Sequence, residues 1–187
     1  MEKDPDARSI YRKLTAGFTL LELMIVLVLV GITSGFVVGS WRKIHAKIAA
    51  RSSIETLLVA FHKARSDATA KERRSGVAIS EDTANSFEAS GGPRKGVRYL
   101  RFVDAPTGIE GLFDDQDTVV QDWTPLEGKV FAYSGSSSGY SNGVASIVFH
   151  YDGSTDNDLR MTLGVANFPD SFRLNLLPAT GLATLER

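Results

Sequence analysis

A single carboxylate, Glu22, interrupts the most apolar stretch of this 187-residue chain. Residues 18–38 read FTLLELMIVLVLVGITSGFVV, and Glu22 is the charged side chain among them. A carboxylate in an apolar segment of membrane-spanning length costs on the order of a few kcal/mol unless it pairs or reaches the headgroups. Glu22 lies near the start of the segment, so contact with headgroups is one interpretation of its presence.

The spacing around Glu22 favours a second, functional interpretation. Gly17 directly precedes the apolar run, and a cut after it would leave an α-amine on Phe18. Phe18 and Glu22 are four residues apart, so they lie on the same face of a helix. The ammonium and the carboxylate could pair within one chain or between neighbouring copies. Pairing between copies would fix their axial register.

The other residue types that could take part in catalysis do not form the pattern of a catalytic site. The chain has no cysteine, which excludes disulfides, thiol catalysis and cysteine-ligated zinc. The serine-rich stretch 134–141 lacks the G-x-S-x-G motif of a nucleophile. Three histidines are too scattered to predict a metal cluster, namely His45, His62 and His150. We therefore predict no enzyme, no cofactor and no metal site.

An acidic stretch is the remaining candidate for cation binding. It contains four aspartates, Asp114, Asp115, Asp117 and Asp122. The glycine and distal glutamate of an EF-hand loop are missing, so solvated loop carboxylates are favoured, although the sequence does not decide whether a cation binds.

The apolar run predicts a transmembrane helix over 18–39. At about 1.5 Å per residue its length matches a hydrocarbon layer of about 30 Å. A secretory signal peptide is the rival, but its apolar region is shorter and ends, rather than begins, at a small residue. Basic residues flank both ends of the run, so charge does not fix its orientation. They are Arg12 and Lys13 before it and Arg42, Lys43 and Lys47 after it.

The next segment, 40–74, predicts an amphipathic stalk helix. Its apolar residues recur mostly every three or four positions, and no proline occurs between Pro5 and Pro93. The membrane helix and stalk could therefore form one rod, with glycines as candidate soft points at 31, 35 and 39. One stripe is expected to pack against a sheet, namely Leu57, Phe61, Ala64 and Ala68.

Residues 75–187 predict a β-rich head. Six short stretches rich in β-branched or aromatic residues are bounded by Gly, Pro, Asn and Asp: 76–80, 97–104, 129–133, 146–152, 159–165 and 172–177. The segments 90–96, 114–117 and 134–143 are expected to be loops. The fold class is therefore α+β, a long N-terminal helix packed on an antiparallel sheet or sandwich.

Charge is distributed unevenly between the stalk and the head. Residues 42–74 contain nine basic and three acidic side chains, a net charge of +6. From Ser75 onward eight Lys and Arg face fifteen Asp and Glu, a net charge of −7. An acidic head is not expected to bind nucleic acid. The candidate basic patch is weak and consists of Arg94, Lys95, Arg98 and Arg101.

The string KLTAGFTLLELMIVLVLVGI resembles the N-terminal signature of type IV prepilins and type II secretion pseudopilins. The resemblance implies cleavage after Gly17 by a prepilin peptidase, with Arg12 and Lys13 as the basic residues of a leader, 1–17. It also implies methylation of the Phe18 amine and a role for Glu22 in guiding subunits into a filament. The leader is longer than in the shortest family examples and contains acidic residues.

Two further strings resemble the GspH/FimT group of minor pseudopilins. LLVAFHKARSDATAKERRSGVAIS is similar to the group's stalk and first strand, and FRLNLLPATGLATLER to its terminal strand, glycine turn and final strand. The frequent arginine after the turn glycine, Gly181, is Leu182 here. The resemblance implies a β-sandwich-like head laid on the stalk.

The resemblance implies a structural role without catalysis. We expect a minor pseudopilin in a short periplasmic filament of type II secretion, anchored once in the bacterial inner membrane with its N-terminus cytoplasmic and its head periplasmic. Expected partners are the prepilin peptidase and other major and minor pseudopilins. Secreted cargo and the outer-membrane secretin complex are further candidates. The alternative is a FimT-like minor type IV pilin involved in pilus assembly or DNA uptake.

Overall fold

The computed structural model describes residues 18–89, 91–141, 143–166, 168–169 and 171–186. Its elements are one helix, α1 (Leu20–Lys71), and the nine strands defined below. The chain divides into two compact units, Met1–Lys43 and Ile44–Arg187. The first unit contains the apolar part of α1, and the second contains the rest of the helix and every described strand.

Helix α1 has a defined start and a defined end. Thr19 precedes the first helical residue, and its Oγ1 accepts a hydrogen bond from the Glu22 N–H at 3.2 Å. A threonine in this position satisfies one of the N–H groups that a helix start leaves unpaired. At the other end Glu72 has a φ of 49°, and the Arg73 N–H donates to the Ala68 carbonyl at 3.3 Å. This hydrogen bond is that of a Schellman ending, so the helix stops at Lys71 rather than at the predicted residue 74.

The strands of the second unit form two antiparallel sheets. Sheet A has the order β3-β2-β1-β6-β5, and sheet B has the order β4-β7-β8-β9. The strands of sheet A are β1 (Ser75–Ala89), β2 (Gly92–Val103), β3 (Thr118–Pro125), β5 (Tyr140–Ser141) and β6 (Val144–Phe149). Those of sheet B are β4 (Val130–Ser137), β7 (Leu159–Val165), β8 (Ser171–Leu177) and β9 (Leu182–Glu186).

The main core lies between α1 and the two sheets. The predicted stripe of Leu57, Phe61, Ala64 and Ala68 is buried, with at most 1% of any of these residues exposed. It packs with residues of both sheets, including Val77 and Ile147 of sheet A and Leu163 and Leu174 of sheet B. Burying a leucine or phenylalanine in this way contributes about 1.5–3 kcal/mol. The expected packing of a helix on an antiparallel head is therefore confirmed.

A second, smaller core covers the other face of sheet A. It is formed by Ala78, Leu100, Phe102 and Val148, with Phe113, Val144 and Trp123 packed against it. The Phe102 and Phe113 rings are 5.1 Å apart, and Phe113 meets Trp123 edge-on at 6.2 Å. Sheet A is therefore buried on both faces, which explains the unbroken run of buried residues from 99 to 102.

All six predicted strands are present, but several bounds and connections differ. The segment 90–96 is not a loop throughout, because β2 begins at Gly92 and pairs with the end of β1. β1 can extend that far because residues 83–85 bulge out between Asp82 and Ser86. β6 ends at Phe149, before the predicted residue 152, because the Gly153 N–H closes a turn onto the His150 carbonyl at 2.9 Å.

Two stretches that were not predicted to be strands also join the sheets. β3 was not predicted, and the serine- and glycine-rich segment 134–143 is partly strand rather than loop. β3 contains the strand formers Thr118, Val119, Val120 and Trp123, but Gln121 and Asp122 interrupt them. At the end of β4 the local strand propensity is weak, and backbone pairing with β7 outweighs it. The final strand β9 follows Gly181, whose φ is 59°, as the family resemblance implied.

Among the residues that the structure describes, no helix is both long and apolar enough to cross a membrane. The predicted leader, 1–17, lies outside the described residues. The predicted segments 18–39, 40–74 and 75–187 stay predictions.

Candidate functional site

Phe18 lies two residues before the start of α1, and Glu22 lies in its first turn. Phe18 is 80% exposed, and Glu22 is exposed in the first helical turn. A carboxylate in this position is favoured by the positive end of the helix dipole. Gly17, Arg12 and Lys13 lie outside the described residues, so their predicted roles stay predictions.

Thr19 is a functional candidate that the sequence analysis missed. It caps the helix by accepting the Glu22 N–H, as described above. The signal was present in the sequence, because T-x-x-E before an apolar run is the pattern of a capping box. The cap fixes the residue at which the helix starts and therefore the position of Glu22 within the first turn.

Apart from Glu22, residues 20–35 of α1 carry apolar or small side chains on every side. Their large apolar side chains are all exposed, between 48% for Val26 and 79% for Leu20. The hydroxyls of Thr33 and Ser34 bond to carbonyls one turn earlier, at 2.9 Å to Leu29 and 2.7 Å to Val30. A helix that is apolar all round is stable when other apolar groups surround it. This segment therefore needs a partner or a lipid environment.

The four residues of the predicted basic patch serve packing and pairing on β2. Arg101 is 9% exposed and forms an ion pair with Asp67 of α1. Lys95 pairs with Glu81 at 3.1 Å. The guanidinium groups of Arg98 and Arg94 lie over aromatic rings. Arg98 is 4.6 Å from the Trp123 ring centre, and Arg94 is 5.4 Å from the Phe131 ring centre.

Arg74 forms a charged junction just after the helix. Its Nε lies 3.0 Å from an oxygen of Asp104, and it also pairs with Glu110. Burial raises the pKa of the Asp104 carboxyl, and the Arg74 charge opposes this rise. Asp156 lies 3.7 Å from the same guanidinium and 2.8 Å from His150 Nε2. The junction connects the end of α1 with the loops after β2 and β6.

The acidic loop uses its carboxylates to shape its own backbone. Asp117 accepts hydrogen bonds from the N–H groups of Ala105 at 2.8 Å and Asp114 at 3.0 Å. Asp114 accepts from Gln116 at 2.8 Å and Ile109 at 2.5 Å. Burial raises the pKa of Asp117 despite these hydrogen bonds. These two aspartates are thus structural rather than merely solvated, and no group of three or more metal-ligand side chains is found in the described part of the chain.

Comparison with known proteins identifies the N-terminal segment. The prokaryotic N-terminal methylation motif matches residues 12–38, which include the cap, Glu22 and the all-round apolar turns. This is the motif of type IV prepilin-like proteins, and the N-terminal segment of the chain is of that kind. The predicted superfamily is confirmed at this level. The narrower resemblance to the GspH/FimT group stays a prediction.

Structural similarity to solved proteins is distant, and no curated protein matches the chain in sequence. Two crystal structures of the type IV minor pilin FimU from Pseudomonas aeruginosa are each 14% identical to it. One has a TM-score of 0.45 and covers 75% of this chain and 90% of FimU. The other has a TM-score of 0.41 and covers 73% and 92%. Similarity at this level says nothing about function.

Proposed function

We propose that the chain is a minor pseudopilin, a structural subunit of a short periplasmic filament in type II protein secretion. The observation that carries the proposal is the segment 20–35, which apart from Glu22 exposes apolar side chains all round and lies within the matched methylation motif. A helix of this kind can be stored in a membrane and later buried among identical or related helices. Both environments satisfy its apolar surface without a polar face.

The proposed life cycle begins in the inner membrane. A prepilin peptidase cleaves after Gly17, and the new Phe18 amine is methylated. The chain then spans the membrane once, with its N-terminus cytoplasmic and its head periplasmic. Glu22 neutralises an amine of a neighbouring subunit as the helix joins the filament, because an unpaired carboxylate in apolar surroundings is costly. No catalysis is required of the head.

A minor type IV pilin that takes up DNA is the alternative. The predicted basic patch gives this alternative little support, since Arg101 and Lys95 pair with carboxylates and Arg98 and Arg94 lie over aromatic rings. A minor subunit of a pilus that does not bind DNA uses the same N-terminal mechanism. The partner proteins, rather than this N-terminal segment, determine whether the chain joins a pilus or a secretion filament.

The N-terminal mass of the membrane-extracted protein tests the proposal. In cells that contain prepilin peptidase we expect a mature chain beginning at methylated Phe18. In cells without the peptidase we expect the full chain beginning at Met1. An intact Met1 in both strains would overturn the filament mechanism, because an uncleaved leader leaves no amine beside Glu22.

A further inference from the structure

The outer face of sheet B carries a shallow polar groove. Its volume is about 310 Å³. It crosses strands β4, β7 and β8, and it is lined by two arginines among hydroxyl, amide, thioether and backbone groups: Gly135, Ser136, Arg160, Met161, Thr162, Arg173 and Asn175. The groove therefore offers hydrogen-bond donors on a flat sheet surface.

Arg160 and Arg173 are placed close together by the strand register. Arg160 is opposite Asn175, and Thr162 is opposite Arg173, so the two arginines are diagonal neighbours on one face of β7 and β8. Such neighbours are about 7–8 Å apart at the backbone, within reach of long side chains. Both arginines are exposed, and both line the same groove.

Neither arginine has an ion pair or side-chain hydrogen bond within the described part of the chain. Glu186 is opposite Arg173 across β8 and β9, yet no salt bridge joins them in the structure. The contrast with β2 is clear, because Arg101 and Lys95 there are each matched by a carboxylate. The positive charge of the groove is thus available to an external anion.

Two adjacent unmatched cations do not help the head to fold. Like charges at neighbouring positions of a sheet repel one another, so the pair is a small cost to the free subunit. A guanidinium is planar and binds a carboxylate through two parallel hydrogen bonds, which gives direction as well as charge. The neighbouring hydroxyl and amide groups of Ser136, Thr162 and Asn175 suit the backbone and side chains of a polypeptide.

We propose that this groove docks a carboxylate-bearing segment of another protein, with Arg160 and Arg173 as the anchoring residues. The inference rests on the proposed function, in which the head contacts other subunits or cargo. A polypeptide is favoured over nucleic acid because the head from Ser75 onward has a net charge of −7, which repels a long polyphosphate more strongly than a segment with one or two carboxylates. Two cations are also few for a phosphate backbone but sufficient for one or two carboxylates.

Binding of two acidic probes of similar charge to the full chain in detergent tests the proposal. The probes are a fluorescent, amidated hexaglutamate peptide and a fluorescent thymidine hexanucleotide, measured by anisotropy at low ionic strength. Arg160→Gln combined with Arg173→Gln should weaken hexaglutamate binding about tenfold. Arg160→Lys combined with Arg173→Lys should retain part of the affinity, since lysine keeps the charge without the planar geometry.

The matched control removes the same charge elsewhere on the head. Lys95→Gln combined with Lys129→Gln should change hexaglutamate binding less than about twofold, because neither lysine lines the groove. Equal loss in both double variants, or no loss in either, would overturn the site. Tighter binding of the hexanucleotide that is lost with the two arginines would also overturn it, in favour of nucleic acid. These outcomes do not depend on leader cleavage, so failure here and failure of the proposed function are distinguishable.

Discussion

Arg101 shows how a charge assigned to the surface by its sequence context can instead serve the fold. It stands in the run PRKGVRYLR, which suggests a basic patch, yet it is 9% exposed. Its guanidinium pairs with Asp67 of α1, and Asp67 also pairs with Lys71 at 3.0 Å. The pair therefore fastens β2 to the helix. Sequence pattern could not show this, because the partners are 34 positions apart.

Asp67→Asn should destabilise the head in a pH-dependent way. Its hydrogen bond to Lys71, followed by the charges of Lys71 and Arg101, lowers the pKa of Asp67 below its ordinary 3.8, against an opposing effect of burial. A lowered carboxyl pKa stabilises the fold above the unfolded pKa, and this stability is lost as pH falls through the folded pKa. We expect the variant to lose about 2 kcal/mol in the free energy of unfolding between pH 5 and 8.

The measurement is urea unfolding of the detergent-solubilised full chain at several pH values. The difference from the wild type should shrink below about pH 4, where Asp67 takes up a proton in both the unfolded and, finally, the folded state. Glu55→Gln is the matched control, since Glu55 forms an exposed pair with Arg51 at 2.8 Å. It should cost less than about 0.5 kcal/mol. A loss for Asp67→Asn that is the same at pH 3 and pH 7 would show that the charge is not the cause.

Gly128 illustrates a requirement set by two elements rather than by one. It lies in the turn between β3 and β4 with a φ of 76°, and a Cβ there would be 2.4 Å from the backbone nitrogen of Ala50 in α1. The preceding residue also contacts the helix, since the Glu127 N–H donates a hydrogen bond to Ser53 Oγ at 2.9 Å. The turn is thus packed directly on the helix backbone, and a glycine allows that approach.

Gly128→Ala should therefore lower the free energy of unfolding, both through backbone strain at positive φ and through a clash with α1. Gly143→Ala isolates the strain, because it has the positive φ without the clash. Gly143 has a φ of 79°, but nothing lies within 4 Å of a Cβ built on it. Alanine at 143 should lose about 1–2 kcal/mol from backbone strain. Alanine at 128 should lose at least about 2 kcal/mol more, because the backbone of the helix cannot move aside cheaply. Urea unfolding of both variants measures the difference, and equal losses would refute the close packing of this turn on α1.

The secondary-structure elements were predictable where side-chain pattern and pairing agree. The stripe from Leu57 to Ala68 and the strand 159–165 have strong helix and strand patterns, and both are present as predicted. β3 was missed because Gln121 and Asp122 interrupt its strand-forming residues. The end of β4 was missed because it consists of serine and glycine and is held by backbone pairing with β7. The bulge at 83–85 was also not predictable, since it depends on the register of β1 against β2.

Across the whole chain, features formed by contiguous residues could be predicted from the sequence, whereas sites formed by residues distant in sequence could not. The N-terminal motif is contiguous, so the class of protein followed from residues 12–38. The groove of Arg160 and Arg173 depends on two residues on adjacent strands that are 13 positions apart in sequence, and only the strand register brings them together. In the same way, the run from Arg94 to Arg101 suggested a patch that the fold distributes among separate contacts.

At the scale of the whole subunit, Glu22 is the residue that we propose guides assembly. If the carboxylate pairs with the Phe18 amine of a neighbour, Glu22→Gln should leave leader cleavage unchanged and reduce incorporation into filaments at least about tenfold, equivalent to about 1.4 kcal/mol. Incorporation is measured by cross-linking of the tagged subunit to other pilin-like subunits. Thr19→Ala is the control, because it removes the helix cap, worth about 1 kcal/mol, and keeps the carboxylate. Normal incorporation of Glu22→Gln would refute the register role, whereas an equal loss in Thr19→Ala would assign the effect to the helix start.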